Sequence, residues 1–240
     1  MKKSLPIVNS PTLVCTLPVS GNTVKYRPFV VAEQKSLLLA QQSEDERTIA
    51  ETVKNVIQSC TNGTLDYDTA PTADVAYFFL KMQIASVGAE RRVSIGCISC
   101  EEPIILNINL DAITVDTSNA KTTIQLTDTV GIKFRFPSLG DSFDVSKFDN
   151  KLDQNVGLLK KLIVSIYDEE QVYDPSEYTS EELTEWIMGL NDSQLIKIQE
   201  FIDNIPELRH ELVYTCPHCK TKQRKLLEGL HDFFRLGDDQ

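Results

Sequence analysis

The run Arg91-Arg92-Val93-Ser94-Ile95-Gly96-Cys97-Ile98-Ser99-Cys100-Glu101-Glu102-Pro103-Ile104-Ile105-Leu106-Asn107-Ile108-Asn109-Leu110 decides how this chain is read. In Ile104, Leu106, Ile108 and Leu110 every second residue is apolar, the period of a strand buried on one face. Arg91 to Ile95 reads as its partner strand. Between the two lies Cys97-x-x-Cys100, in a tight turn. The same device returns near the C-terminus, where a second expected hairpin surrounds Cys216-Pro217-His218-Cys219. Two residues between cysteines let both sulfurs face one ion while backbone amides hydrogen-bond them. Two such knuckles complete a tetrahedral four-sulfur set, the arrangement preferred by structural Zn²⁺.

Cys97, Cys100, Cys216 and Cys219 are therefore the expected ligands of one structural Zn²⁺ per chain. The spacing is long, with 115 residues between Cys100 and Cys216 against about 15–20 in short zinc modules. This corresponds to a zinc ribbon carrying a large insertion. Glu101 and Lys220 follow the two pairs at positions where glycine would relax the turn. Two alternatives stay open: a site that has lost its metal, and pairs that never meet. Redox chemistry fits poorly, because a redox Cys-x-x-Cys normally sits at a helix N-terminus that lowers the thiol pKa. His218 and His210 lie close enough in sequence to replace a cysteine, although four sulfurs suffice. Cys15 and Cys60 fall on apolar faces and read as small core residues, and His231 as a surface or packing residue.

Around these knuckles the pattern is α+β, in four segments. Residues 1–90 hold a β-hairpin at about 12–31 and a helical region. Ser43 with Glu46 suggests a capping box before the apolar stripe Ile49, Val53, Val56, Ile57 and Cys60, which Asn62-Gly63 ends. Thr72 is the expected cap of a third helix, stopped by Gly88. Residues 91–144 are β-rich and carry the first knuckle, with further strands at 121–127 and 130–136. Residues 145–208 read as a mostly helical insertion. There Thr179 with Glu182 and Asn191 with Gln194 mark the starts of helices at about 180–189 and 192–204. Residues 209–240 hold the second knuckle and an acidic tail.

The 240 residues balance 24 Lys+Arg against 35 Asp+Glu, a net charge of −11, which opposes broad contact with phosphate backbones. Residues 168–185 hold eight acids and no base, whereas Lys220, Lys222, Arg224 and Lys225 crowd the last hairpin. Such separation reads either as two solvated faces or as electrostatic steering of a protein partner. A zinc-ribbon module binding nucleic acid through the basic hairpin is the alternative. No run approaches the roughly 20 apolar residues that span a bilayer. Met1-Lys2-Lys3 leads into Pro6 and Pro11 rather than an apolar export segment. The expected compartment is a cytoplasm, where thiols stay reduced. No phosphate loop, nucleophile elbow or His-Glu-x-x-His run is present, and no small-molecule substrate or enzymatic activity is expected.

The N-terminal third resembles the baseplate hub proteins and hub-assembly factors of T-even-type contractile-tailed phages. The residues that carry the resemblance are Tyr26-Arg27-Pro28-Phe29, Glu33, Lys35, Leu37-Leu38, Ser43-Glu44-Asp45-Glu46 and Cys60-Thr61-Asn62-Gly63. The segment from Asp74 through Tyr77-Phe78-Phe79-Leu80 to Ser86-Val87-Gly88, and the two cysteine pairs, add to it. It covers about residues 15–110 and the last hairpin. It implies a non-catalytic part of the tail-assembly machinery that binds other hub proteins in the host cytoplasm, either staying in the virion baseplate or leaving as a chaperone. Tyr26, Arg27 and Phe29, with Lys222, Arg224 and Lys225 of the basic hairpin, are the candidate partner-binding residues. For the first three the competing reading is structural, with Pro28 ending a strand and Phe29 packing beneath the first helix.

Overall fold

The computed structural model describes residues 10–43, 45–141 and 150–235. Lys2, Lys3, Glu44, the acidic tail and the His231 side chain lie outside the described residues. The fold is mixed α and β, as expected, and divides into two compact units. The first takes the described residues up to Tyr67, then Ala73–Val115 and the chain from Leu208 onward; the second takes Asp68–Thr72 and Asp116–Glu207.

In the first unit β1 (Leu13–Thr16) and β2 (Thr23–Tyr26) form an antiparallel hairpin with Cys15 opposite Val24. Helices α1 (Val31–Gln42), α2 (Glu46–Thr61) and α3 (Thr72–Val87) follow. β3 (Glu90–Gly96) and β4 (Pro103–Asn109) then pair from Glu90–Asn109 to Gly96–Pro103, holding the first cysteine turn. The short β5 (Thr114–Val115) edges a second sheet, in the order β11-β10-β5, with β10 (Leu208–Thr215) and β11 (Lys222–Glu228) as the second hairpin. A last helix (Gly229–Arg235) closes the unit. The alternation seen in the sequence points Val93, Ile104, Ile108, Leu212 and Leu227 inward. There they share a core with Ala76 and Leu80 of α3 and with Phe233. Burial of this shared apolar face holds the hairpins together.

The second unit is a four-stranded antiparallel sheet, β6 (Thr123–Gln125), β7 (Gly131–Phe134), β8 (Ile163–Tyr167) and β9 (Val172–Tyr173), in that order. It is accompanied by α4 (Lys151–Leu162), α5 (Ser180–Met188) and α6 (Asp192–Asp203). Ile132, Phe134, Leu162, Ile166, Ile187, Ile198 and Phe201 form its core, with Phe134 stacked on Phe201 at 4.4 Å between ring centroids. β8 and β9 lie within the stretch expected to be mostly helical. Ile163-Val164-Ser165-Ile166-Tyr167 is rich in β-branched and aromatic residues, which pack well on a pleated surface. The preceding helical pattern obscured its short alternation.

Several caps are as expected. Thr179 and Glu182 exchange backbone and side-chain hydrogen bonds at 2.7 and 3.2 Å, and Asn191 and Gln194 at 2.9 and 3.1 Å. Asn62 (φ 52°) and Gly63 (φ 73°) end α2, and Gly88 (φ 100°) ends α3. Two caps differ. The N-cap of α2 is Asp45, not Ser43: its carboxylate accepts the Thr48 N–H at 3.0 Å, and the first helical bond runs from Ile49 to Asp45. Ser43 instead closes α1, its hydroxyl donating to the Ala40 carbonyl at 2.6 Å. Thr72 spends its amide and hydroxyl on the Pro137 carbonyl, at 2.9 and 3.1 Å, rather than capping its own helix.

Candidate metal centre

The two knuckles are built alike. In the first, the Glu101 N–H donates to the Cys97 carbonyl and the Cys97 N–H to the Glu102 carbonyl, both at 2.9 Å. In the second, Lys220 donates to Cys216 and Cys216 to Thr221, both at 3.0 Å. The turns close with Glu101 and Lys220 at φ 61° each, the left-handed conformation. These are the positions where the sequence pattern called for glycine, and a side chain there costs about 1 kcal/mol. The strands on either side are long and well paired, so they hold the turns in this shape.

All four sulfurs lie within 4.8 Å of one another, with Cys97 to Cys219 at 3.7 Å and Cys100 to Cys216 at 3.8 Å. A tetrahedral site with Zn–S bonds of about 2.3 Å places its sulfurs roughly 3.8 Å apart. A disulfide would need about 2.05 Å. The donor set and spacing thus fit zinc. Among the described residues this is the one group of three or more Cys, His, Asp or Glu side chains placed to hold a metal. Cys97 and Cys216 are buried, Cys100 is half-buried and Cys219 is exposed. His218 is exposed beside the cluster and His210 half-buried on β10; neither belongs to it.

The electrostatics favour uneven ionisation of Cys97 and Cys100. Burial opposes charge on Cys97, but the backbone N–H groups of Cys100 and Ser99, together with hydrogen bonds from the neighbouring Cys100 and Cys216 thiols, pull it down to about 6. At Cys100 the Glu102 N–H acts to lower the pKa, yet burial and the neighbouring sulfurs push it up to about 12. Four adjacent thiolates repel one another, and a divalent cation relieves that repulsion.

One residue that sequence reasoning missed completes the arrangement. Gln223, buried on β11, donates from Nε2 to the Cys97 sulfur and to the Ser99 hydroxyl, both at 3.0 Å. Its Oε1 accepts from the Ile98 N–H at 3.1 Å and from the hydroxyl of Tyr214, its cross-strand partner, at 3.0 Å. A glutamine of the second hairpin thus satisfies groups of the first knuckle. The only sequence signal was a polar residue at an inward strand position.

The candidate partner-binding residues fall in two environments. Tyr26 is buried, edge-on to Phe78 at 5.2 Å. Arg27 forks onto Glu33 at 2.7 and 2.8 Å and reaches the Ser59 hydroxyl at 2.9 Å, tying the hairpin to α1 and α2. Phe29 is half-buried, and its N–H donates to the Ser86 hydroxyl at 2.9 Å. Lys222, Arg224 and Lys225 are exposed on β11, and Arg224 lies 3.5 Å from Glu211. Cys15 and Cys60 are buried, away from the cluster; burial and the adjacent Glu33 carboxylate push Cys60 up to about 12. Among the described residues no helix is long and apolar enough to cross a membrane.

The family model for T4 bacteriophage base plate proteins matches residues 10–235. No curated protein and no solved structure matches the chain. The family match takes in both knuckles and the whole 115-residue stretch between them, including the part of the sequence that carried no resemblance of its own. The chain belongs to the T4 bacteriophage base plate protein family.

Proposed function

We propose that this baseplate-family protein is a non-catalytic hub component or hub-assembly factor that binds other hub proteins while the tail is built. Cys97, Cys100, Cys216 and Cys219 hold one structural Zn²⁺ per chain. The observation that supports this reading best is the four-sulfur cluster, drawn from two hairpins far apart in sequence. When bound, zinc supplies a cross-link between those hairpins that four neutral thiols do not. Four protein sulfurs fill a tetrahedral coordination sphere, which suits a staple rather than a catalyst. Gln223 orients Cys97, and the family assignment supports a place among tail proteins rather than among enzymes.

Partner contact falls to exposed groups such as Lys222, Arg224 and Lys225, while Tyr26, Arg27 and Phe29 hold the N-terminal hairpin in the shape a partner meets. Assembly proceeds in the host cytoplasm. The test is co-purification of the tagged full chain from infected cells. Stoichiometric or transient recovery of hub proteins is expected, and recovery of none contradicts the role. Nucleic-acid binding through the basic hairpin predicts steep salt dependence in a filter assay; no retention at low salt is expected.

A further inference from the structure

The second unit carries an open groove of about 550 Å³ whose lining includes no Lys, Arg or His. Tyr173, Tyr178 and Trp186 supply its aromatic wall, and Asp168, Glu182 and Glu185 supply its charge. β8, β9 and α5 bring these residues together: Asp168 follows β8, Tyr173 ends β9, and Tyr178 leads into α5, which carries the other three. Leu183 of α5 lines the groove too.

Two of the three carboxylates are fixed in place. Asp168 accepts from the Tyr173 hydroxyl at 2.6 Å and from the Glu170 and Gln171 N–H groups at 2.9 Å. Glu182 accepts the Thr179 N–H at 2.7 Å. These donors favour the charged forms, so both stay anionic. Glu185 is exposed and Tyr178 is 40 % exposed. The groove therefore presents fixed negative charge beside aromatic faces, within a stretch of eight acids and no base.

From this we infer that the groove docks an extended segment of another baseplate protein that presents a lysine or arginine flanked by apolar residues. The inference rests on the proposed partner-binding role and names its surface. A cation is attracted both to carboxylates and to ring faces. Tyrosine and tryptophan are the residues that most often anchor protein interfaces. The open form and the apolar Val130, Ile166 and Leu183 in its lining suit a peptide rather than a free ion.

Trp186 is the chain's only tryptophan, so its fluorescence reports on the groove directly. The full chain is titrated with the capped peptide Leu-Lys-Phe-Arg-Leu and with its charge-reversed counterpart Leu-Glu-Phe-Glu-Leu. The basic peptide is expected to shift Trp186 emission in a saturable way. Affinity should fall about fivefold or more between 50 and 300 mM salt, and about tenfold in Glu185→Lys and in Tyr178→Ala. Both substitutions are at exposed positions and should leave the fold intact, which circular dichroism checks. An equal response to the acidic peptide, or no response to the basic one, overturns the inference. So does a concentration-dependent shift in the chain alone, which assigns the groove to a second copy. If hub proteins co-purify with the Glu185→Lys/Tyr178→Ala variant as well as with wild type, the groove is wrong and the function stands. If none co-purify with wild type, the function falls, whatever the peptide does.

Discussion

Glu33 and Gln223 do the same work across very different sequence separations. Both are polar side chains that hold separate elements together. Glu33 stands six residues from Arg27, and its carboxylate takes the guanidinium in a two-pronged contact, the Ser59 hydroxyl and the Val30 N–H. The Arg27 guanidinium, acting against burial and aided by those donors, pulls Glu33 down to about 2. A carboxylate whose pKa falls on folding stabilises the protein above its unfolded value, about 4.5. That stability is lost as pH drops through 2. Glu33→Gln should cost about 1–2 kcal/mol at pH 6. The gap from wild type should shrink by more than half at pH 3, as read by urea unfolding. A constant gap across that range contradicts the ion pair. Gln223 was hard to read in the sequence because its partners in the first knuckle lie about 125 positions away, and no local pattern marks a side chain that serves another hairpin. Gln223→Ala should weaken metal binding about tenfold, measured by chelator competition. An unchanged affinity removes it from the site.

At the scale of elements, the signals that could be read were those closed within a few residues. The capping boxes at Thr179 and Asn191 satisfy helix ends through partners three positions away, and both formed as expected. The cysteine turns were equally local, down to the left-handed residues at Glu101 and Lys220. Lys220→Gly should raise stability by about 0.5–1 kcal/mol, because glycine adopts that backbone without the Cβ clash. A loss of stability in thermal melts would show the conformation to be unstrained. Where two acceptable caps competed, local reading failed. Ser43 and Asp45 both suit an N-cap, and Asp45 prevailed while Ser43 ended the previous helix. β8 and β9 were lost for a related reason: a five-residue and a two-residue strand give too little alternation to stand out from flanking helices. Their pairing is set by the sheet. Gly131, opposite Tyr167, leaves room for a ring that a Cβ would meet at 2.3 Å.

Across the whole molecule, the long insertion determines what a metal can do. A zinc held by Cys97 and Cys216 would close a loop that contains most of the second unit and tie the middle of the chain to its C-terminal hairpin. Each unit nevertheless has a core of its own. Removing the metal should therefore loosen the first unit selectively. Amide exchange in β3, β4, β10 and β11 should quicken after chelation, while β7, β8 and α6 keep their protection. Uniform quickening would mean that the units unfold together. The total charge of −11 gave no hint of this division. Its distribution did, with acids gathered at 168–185 and bases on the last hairpin.

The zinc tie itself is tested most directly by X-ray absorption at the zinc edge of the purified full chain, together with its metal content. The expected result is about one zinc per chain, bound by four sulfurs at about 2.3 Å, with stoichiometric binding lost in Cys216→Ser. A chain without stoichiometric metal, or zinc bound through nitrogen and oxygen, would contradict the account.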